Sequence, residues 1–520
     1  MLSRWVRQIL QATVYDVAIE SPLESAPRIS ERLNNHIRFK REDLQPVFSF
    51  KLRGAYNRIS QMPAEQLARG VICASAGNHA QGVAYSGKKM GIATIIVMPV
   101  TTPDIKVNAV KRLGGHVVLH GDSFDVANQY AMQRAQDEGL AYVPPYDDEL
   151  VIAGQGTIAT EILKQWRQVE YVFVAVGGGG LIAGVAAYLG EVAPHVKVVA
   201  VESDESACLK LALACNERAK LPQVGLFADG TAVAQIGALP FDVLRLQKSD
   251  GTAGLIEPEV VTCSTDEICA AIKDVFEENR TIVEPSGALA LAGIKKYVAQ
   301  HGVSQKNMVA ILCGANMNFD RLRYIAERTE IGEKREAVFA VTLPEQKGAY
   351  LAFCRALKGR VITEFNYRYN PYNSNNPSHG ESNSAAHIFV GIGLKDGARE
   401  HQAILKDLES YQVLDLTEDE VAKLHIRYLI GGHAGLADEY LFRVEFPERP
   451  GALLTFLERL GQQFNISLFH YRNHGAAEGR VLMGLQLGQH QPAEMTAALD
   501  SIGYPYEEMS QNAGYQLFLK

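Results

Sequence analysis

The chain has 520 residues, of which 47% are hydrophobic and 21% charged, so it can bury large cores and is long enough for roughly two to four domains. A formal net charge of -8 argues against nucleic-acid binding, because such binding depends on clustered Lys and Arg. Seven scattered cysteines without zinc spacing, and an N-terminus without an apolar signal run, predict a cytoplasmic protein that holds no metal and does not enter a membrane.

The first segment with possible chemistry is VFSFKLRGA, residues 47–55, which places Lys51 between two apolar residues. On its own, such a segment is most often a surface lysine that keeps its ammonium group in water. The alternative is a desolvated lysine. Removal from water favours the neutral amine, which attacks carbonyl carbons and forms Schiff bases. The rest of the chain decides between these two interpretations.

Apolar runs of strand length alternate with helical stretches from about Gly70 to Glu202. The runs are VICAS, IATIIVMP, HVVLH, YVFVAV and KVVAVE, and a further strand is predicted in NMVAILCGANMN, residues 307–318. Continuous apolar strands separated by helices predict one parallel sheet covered on both faces, which is an α/β architecture. Ligands bind at the carboxyl ends of such strands, so the loops after these runs are the candidate binding segments.

The loop CASAGNHAQG, residues 73–82, joins a predicted strand to a predicted helix. Ser75, the backbone of Gly77, Asn78 and His79 place hydrogen-bond donors at a helix start, where a carboxylate or a ring oxygen can bind. An ordinary helix cap explains the same residues, because Ser and Asn are common N-cap residues. Both interpretations stay open for this loop taken alone.

A tetraglycine segment follows the run YVFVAV and consists of Gly177, Gly178, Gly179 and Gly180, with Leu181 after it. Backbone N–H groups at the start of a helix suit a phosphate dianion, and glycine allows close approach. A flexible turn is the alternative. The uncharged stretch 171–190 has the length of a membrane span, but four consecutive glycines favour a strand, a loop and a helix instead.

Two further residues are candidates at the end of this region. Cys313 ends the apolar strand in ILCGANMN, and alone it is most often a buried core side chain. Glu284, in EPSGA, is a weaker candidate whose alternative is a structural helix-cap carboxylate. A nucleophilic lysine, a phosphate-binding loop, an anion-binding loop and a neutral, weakly polar side chain together are the parts that hold pyridoxal phosphate.

An internal repeat occupies the C-terminal part, after the charged segment 321–337, which is predicted to be a helix leading into a linker. When Pro344 is set on Pro447, further positions coincide, namely Glu345/Glu448, Gly348/Gly451, Ala349/Ala452, Leu351/Leu454, Phe353/Phe456 and Leu357/Leu460. Each copy reads strand, helix, strand, strand, helix, strand, which is the ferredoxin-like order. Only the first copy carries a polar stretch, residues 370–385, which is predicted to be a long loop.

The motifs SFKLRGA, SAGNH and GGGGL, together with the position of Cys313, resemble those of the biosynthetic threonine deaminases. These enzymes belong to the tryptophan-synthase-β-like group, fold type II, of pyridoxal phosphate enzymes. The resemblance implies an α/β catalytic domain followed by two α+β, ferredoxin-like (ACT-like) regulatory repeats. The implied divisions are a catalytic domain 1–325, a linker 326–336, a first repeat 337–417, a connector 418–437 and a second repeat 438–520.

The resemblance also implies roles for individual residues. Lys51 would form the Schiff base with the cofactor, Asn78 would bond its ring 3-oxygen, and Cys313 would lie beside its pyridine nitrogen. The turn Gly177–Leu181 would bind the phosphate. The backbone of Ser75, Ala76, Gly77, Asn78 and His79 would receive the substrate carboxylate. Ala76 replaces the second Ser that several related serine dehydratases carry, and His79 differs from the Thr that is usual in cysteine and threonine synthases.

The function implied by this resemblance is the conversion of L-threonine to 2-oxobutanoate and ammonia, the first step of isoleucine biosynthesis, with L-serine as a secondary substrate. Lys51 would be the base, and Glu284 is a candidate contact for the substrate amine. Isoleucine as inhibitor, valine as its antagonist and a homotetramer are further expectations. The alternatives are a β-replacement synthase or a racemase on the same fold, and a ligand-sensing module with a catalytic relic.

Overall fold

The computed structural model describes residues 2–246, 258–332, 335–344, 349–366, 385–394, 397–419, 421–427, 438–447, 456, 460, 464–472, 478–488 and 491–519. The chain divides into two compact units, Met1–Ala326 and Glu327–Lys520. Among the residues described, no helix is both long enough and apolar enough to cross a membrane. The cytoplasmic location stays a prediction.

The first unit alternates strands and helices. Its strands are β1 Leu23–Ser25, β2 His36–Arg41, β3 Val71–Ala74, β4 Thr94–Met98, β5 His116–Leu119, β6 Ala141–Tyr142, β7 Tyr171–Ala175, β8 Lys197–Ser203, β9 Glu259–Cys263 and β10 Asn307–Leu312. Its helices are α1 Leu2–Leu10, α2 Pro27–Leu33, α3 Lys51–Ser60, α4 Ala64–Leu67, α5 Asn78–Met90, α6 Asp104–Arg112, α7 Phe124–Glu138, α8 Glu149–Gln165, α9 Gly180–Val192, α10 Cys208–Cys215, α11 Ala238–Leu244, α12 Thr265–Asn279, α13 Pro285–His301 and α14 Arg321–Gly332.

These strands form two sheets, so the prediction of a single sheet is wrong. The larger sheet has the order β1-β2-β10-β7-β8-β9, and the smaller has the order β5-β4-β3-β6. All neighbours are parallel except β1 and β2. The apolar pattern identified the strands correctly, but it does not specify which strands pair. Strand β6 has only two residues, and the 17-residue helix α8 separates it from β7.

Burial explains why the central strands are continuous apolar runs. Every residue of β3 is buried, and β7 and β10 are buried after their first residue. Helices cover the larger sheet and contribute to one large core, to which α9 and α13 supply mainly Ala, Leu and Ile. Two smaller cores enclose the smaller sheet. The stretch 171–190 divides into β7, a glycine loop and α9. This division confirms the strand, loop and helix predicted for this stretch.

The second unit contains two four-stranded antiparallel sheets. Its strands are β11 Glu336–Pro344, β12 Ile362–Asn366, β13 Ala385–Gly393, β14 Gln412–Asp415, β15 Glu439–Pro447, β16 Asn465–Arg472, β17 Glu478–Gln486 and β18 Tyr506–Glu508. Its helices are α15 Ala349–Ala356, α16 Gly397–Asp407, α17 Pro492–Ile502 and α18 Ala513–Phe518, with a π-helical segment at Ala422–Ile426. The sheet orders are β12-β13-β11-β14 and β16-β17-β15-β18, so corresponding strands hold corresponding places.

The repeat read from the sequence appears in these two sheets. The first copy has the predicted order of strands and helices, and five of the six elements are described in the second copy. The aligned pairs Phe353/Phe456 and Leu357/Leu460 are buried in the corresponding cores. A third core joins the outer faces of the two sheets and includes Phe389, Leu441 and Tyr515.

The predicted linker and connector contain helical segments, and most of the predicted polar loop is not described by the structure. Helix α14 extends to Gly332, so most of the predicted linker 326–336 is helical. The π-helical segment at Ala422–Ile426 lies in the predicted connector. Residues 370–384 of the predicted polar loop lie outside the described residues.

Candidate active site

Lys51 is the first residue of α3 and is partly buried. Its Nζ donates to the carbonyl of Pro145 at 3.0 Å, with the rings of Phe50 and Tyr146 5.4 and 6.0 Å away. Burial lowers the pKa of Lys51 to about 8, against the smaller opposing effects of Cys313 and Glu284. The positive end of the helix dipole likewise disfavours a cation at a helix N-terminus. The desolvated-lysine interpretation therefore fits this residue.

Local pairing holds the segment before Lys51 against the end of β10. Ser49 forms an antiparallel bridge with Gly314, and the Phe50 N–H donates to the Cys313 carbonyl at 3.2 Å. A side chain at Gly314 would lie 2.6 Å from Oε1 of Glu284. Glycine at position 314 therefore leaves room for Glu284 and Asn78 beside this bridge. This pairing brings Lys51 and Cys313 together, although the two residues are far apart in the sequence.

Asn78 begins α5 and is held by two neighbours. Its Nδ2 donates to Oε1 of Glu284 at 2.6 Å, and its Oδ1 accepts from Nδ2 of Asn316 at 2.7 Å. Glu284 is 3% exposed. Burial, followed by the charge of Asp229, raises the pKa of Glu284 to about 7, although the hydrogen bond from Asn78 opposes this rise. The amide plane of Asn78 is fixed between an acid and a second amide.

The rest of the SAGNH loop divides into an open part and a buried part. Ser75 Oγ accepts from the Gly77 N–H at 3.2 Å, and the position of a side chain on Gly77 faces open space. His79 is buried, and its Nε2 lies 2.9 Å from the carbonyl of Val143. Burial, reinforced by the charge of Lys51, lowers the pKa of His79 to about 3. His79 is therefore a neutral structural residue, and only its backbone belongs to the open loop.

The glycine loop is enclosed by neighbouring residues. A side chain on Gly178 would lie 2.2 Å from the ring of Tyr146, and one on Gly177 would lie 2.9 Å from Cα of Thr231. Gly179 caps α9 with φ of +91°, a conformation that disfavours side chains. The first N–H groups of α9, from Gly180 onward, have no partner within the helix. Side chains at Gly177, Gly178 and Gly179 are thus disfavoured by the fold, and the helix start remains available for an anion.

Cys313 lies directly after β10 and is buried. Its Sγ donates to the carbonyl of Ser286 at 3.2 Å. Burial raises the pKa of the Cys313 thiol, with the charge of Glu284 adding to the effect. The thiol is neutral at physiological pH. Leu181, the second residue of α9, has its side chain in the main core, so it can offer a ligand only its backbone.

The two sheets together bring the predicted residues to one cleft. The SAGNH loop follows β3 of the smaller sheet, whereas the glycine loop and Cys313 follow β7 and β10 of the larger one. Sequence reasoning missed Pro145, Tyr146, Thr231 and Asn316. Asn316 lies three residues after Cys313 in CGAN and could have been proposed from that position. The other three follow no recognised motif.

The donor set fits pyridoxal phosphate. Four features meet in the cleft: a lysine with a lowered pKa, a helix start preceded by glycines, a fixed asparagine and a neutral thiol. Among the described residues, no group of three or more His, Cys, Asp and Glu could hold a metal ion.

Comparison with known proteins agrees with this donor set. Residues 14–314 match the model of the family described as pyridoxal-phosphate dependent enzymes, and residues 327–426 and 430–519 match that of the C-terminal regulatory domain of threonine dehydratase. The biosynthetic L-threonine dehydratase IlvA of Burkholderia multivorans is 50% identical over 99% of both chains. The corresponding enzyme of Escherichia coli is 48% identical over 99% of this chain and 97% of its own.

A solved structure gives the same result for the fold. The processed form of threonine deaminase isoform 2 from Solanum lycopersicum has a TM-score of 0.60 and 48% sequence identity, covering 64% of this chain and 88% of its own. The fold and the cleft define a pyridoxal-phosphate dependent enzyme of fold type II with pyridoxal phosphate as its cofactor. More particularly, the chain belongs to the biosynthetic threonine dehydratase family, whose members are lyases. This assignment decides against the synthase, racemase and sensor alternatives.

Proposed function

We propose that this lyase works through Lys51, with the cofactor held by Lys51, Asn78, the loop Gly177–Leu181 and Cys313. Pyridoxal phosphate, when bound, supplies an electron sink next to the substrate Cα. The glycine loop would hold the phosphate, Asn78 the ring oxygen and Cys313 the ring nitrogen. The observation that carries the proposal is the lowered pKa of Lys51, which has no carboxylate in hydrogen-bond contact with its Nζ among the described residues.

A neutral Lys51 amine can accept a proton from the substrate Cα. An amine with a pKa near 8 is partly neutral at pH 7 to 8, whereas an ordinary lysine is almost entirely protonated there. The Pro145 carbonyl, 3.0 Å from Nζ, orients the amine in the cleft. Lys51 would thus both carry the cofactor and, once released from it, move the proton.

The open part of the SAGNH loop is proposed to receive the substrate carboxylate. Backbone N–H groups at the start of α5 suit a carboxylate, and the space beside Gly77 is free of protein atoms. Glu284 would act by orienting Asn78 through their 2.6 Å hydrogen bond. A direct contact of Glu284 with the substrate amine is a second role, and its raised pKa makes it a reversible proton carrier near neutral pH.

The pathway, the secondary substrate, the effectors and the assembly complete the proposal. The enzyme would convert L-threonine to 2-oxobutanoate and ammonia in isoleucine biosynthesis and would act on L-serine more slowly. Isoleucine would inhibit it and valine would oppose that inhibition. A regulatory role for residues 327–519 supports an amino-acid effector. The motif resemblance supports a homotetramer in the cytoplasm.

Steady-state assays test this function directly. Keto acid and ammonia are measured with L-threonine and with L-serine, each with and without isoleucine and valine. The expected result is equal amounts of keto acid and ammonia, a higher kcat/KM for threonine, and isoleucine inhibition that valine relieves. A higher kcat/KM for serine would contradict the substrate assignment, and activity that isoleucine leaves unchanged would contradict the effector assignment.

A further inference from the structure

A group of charged side chains outside the cofactor cleft converges on Asp229. This residue begins the 3-10 turn Asp229–Thr231, which lies between α10 and α11. Its Oδ2 accepts from Nζ of Lys106 in α6 at 2.5 Å, and its Oδ1 lies 3.5 Å from Nη1 of Arg321, the first residue of α14. Burial alone would raise the pKa of Asp229, but the charges of Lys106 and Arg321 outweigh burial and lower it. Asp229 is therefore ionised and paired on two sides.

Arg321 is fixed independently of Asp229. It is 5% exposed, and its Nη2 donates to the carbonyl of Phe227 at 3.0 Å. Its guanidinium lies over the ring of Phe227, 5.5 Å from the centroid. The ring of Phe227 in turn packs on that of Tyr324, also in α14, at 5.6 Å. The segment just before the turn is thus held against the start of α14, and the ion pair between Asp229 and Arg321 adds a second contact there.

The other side of the turn packs against the cleft. A side chain on Gly230 would lie 2.9 Å from Oγ of Ser286 and 3.2 Å from Oε1 of Glu284. Thr231 Oγ1 lies 3.2 Å from Oγ of Ser286, and the backbone of Thr231 bounds Gly177. Any movement of the turn therefore changes the space around the first residue of the glycine loop and around Glu284.

Two contacts connect helices α5 and α6, which follow strands of the smaller sheet, to Glu284 and Asp229. Asn78, at the start of α5, donates to Glu284, and Lys106, in α6, donates to Asp229. Glu284 and Asp229 lie close together, because a side chain on Gly230, the residue after Asp229, would lie 3.2 Å from Oε1 of Glu284. The hydrogen bond from Asn78 and the ion pair with Lys106 therefore hold two acids that lie close together.

We propose that Asp229 is a positioning residue of the active site, which fixes the turn 229–231 against the glycine loop and Glu284 by pairing with Lys106 and Arg321. The side chains of Asp229 and Lys106 remain 28% and 23% exposed, so their ion pair adds little to global stability. Its effect is local, because Thr231 leaves no room for a side chain at Gly177, and Ser286 and Glu284 leave little room for one at Gly230.

The variants Asp229→Asn, Asp229→Glu and Lys106→Met test the proposal in the full-length holoenzyme. The matched control is Glu138→Gln, which breaks a partly exposed ion pair with Arg134 within α7. The measurements are kcat and KM for L-threonine, the dissociation constant of pyridoxal phosphate by absorbance, and the midpoint of thermal unfolding. Asp229→Asn and Lys106→Met are each expected to lower kcat/KM about tenfold and to weaken cofactor binding. Lys106→Met should keep an unfolding midpoint close to that of the control, whereas Asp229→Asn should lower the midpoint, because Arg321 is 5% exposed and loses its carboxylate.

Rescue and coupling distinguish positioning from a structural role. Asp229→Glu keeps the charge and should recover most of the lost kcat/KM. The double variant Asp229→Asn/Lys106→Met should be no worse than Asp229→Asn alone, because the two residues act through one contact. If Asp229→Asn does not fold, Lys106→Met carries the test, since its side chain lies at the surface of α6.

Two results would overturn the proposal. The first is kcat/KM and cofactor affinity in Asp229→Asn and Lys106→Met equal to those of Glu138→Gln. The second is a loss of activity that follows a lower unfolding midpoint and is not recovered by Asp229→Glu. The proposal rests on the proposed function, and the two fail separately: an active Lys51→Ala variant would contradict the proposed role of Lys51, and this test needs no Asp229 variant.

Discussion

Helix α3 carries two basic residues only two positions apart, and their surroundings shift the pKa of the two side chains in opposite directions. Lys51 faces a carbonyl and aromatic rings, and burial lowers its pKa to about 8. Arg53 faces Glu42 and Glu161, with N–O distances of 2.8 and 2.6 Å. Burial alone would lower the pKa of Arg53, but the two carboxylates outweigh burial and raise it. The two carboxylates thus keep Arg53 charged, whereas Lys51 has no carboxylate in hydrogen-bond contact, among the described residues, to favour its ammonium form.

The environment of Arg53 is a closed ionic cluster. Lys40 Nζ lies 2.6 Å from Glu161, so two cations and two carboxylates share a site in which all four side chains are at most 2% exposed. Ser21 donates to Glu42 at 2.6 Å and Tyr15 donates to Glu161 at 2.9 Å. The cluster ties α3 to β2 and α8. The same helix can therefore be anchored firmly at one residue and present a desolvated amine at another.

Replacing Lys51 should have the largest effect on function. Lys51→Ala should form no measurable keto acid while remaining folded by circular dichroism, because a desolvated lysine adds little to stability. Lys51→Arg is the sharper control, because arginine keeps the charge but cannot be deprotonated. It should be equally inactive. Appreciable turnover by either variant would remove Lys51 as the proposed base.

Replacing Arg53 should have the largest effect on stability. Arg53→Met leaves Glu42 and Glu161 buried without their main partner and should lower the free energy of unfolding by about 3 to 5 kcal/mol. The control Arg134→Met breaks an exposed pair in α7 and should cost about 0.5 kcal/mol or less. Urea unfolding of the two apo variants gives the comparison. Similar losses in both would show that the cluster does not anchor α3.

Glu284 should make stability depend on pH in a defined direction. Its pKa is raised from 4.5 to about 7, so between these values the folded state binds more protons than the unfolded state. The contribution of Glu284 to the free energy of unfolding therefore falls as pH rises through this window, by about 3 kcal/mol. Glu284→Gln removes this contribution. Its apo form should lose less stability than the unmodified apo enzyme between pH 4.5 and 7, and parallel curves would exclude a raised pKa.

Replacing Cys313 should have the smallest effect. Cys313→Ser keeps a neutral donor toward the Ser286 carbonyl, so kcat/KM should stay within a few-fold of the unmodified enzyme. Cys313→Ala removes this hydrogen bond, which contributes about 1 kcal/mol, because the Ser286 carbonyl lies in α13 and keeps its acceptor role within the helix. Thermal unfolding and steady-state rates measure both effects. An inactive serine variant would mean that the thiol itself is needed.

Short motifs in the sequence name the residues of the candidate site, whereas the sheet arrangement around them could not be predicted. Lys51, Asn78, the glycine loop and Cys313 lie in short motifs whose local chemistry can be read directly. The division into two sheets depends on pairing between distant strands, which apolar runs do not encode. The pairing of Asp229 with Lys106, and of Arg53 with Glu161, likewise joins residues that are more than one hundred positions apart. Such contacts can be identified only in the folded structure, because no local pattern in the sequence connects the two partners.

The pKa of Lys51 in the apo enzyme tests the account most directly. Competitive labelling of lysines with acetic anhydride over a range of pH, followed by mass spectrometry of the peptide that contains Lys51, measures the reactivity of the neutral amine. Exposed lysines such as Lys164 serve as the internal reference. The account predicts half-maximal reactivity of Lys51 near pH 8, well below that of the reference. A midpoint equal to that of the exposed lysines would contradict the claim that burial without a carboxylate makes Lys51 a base.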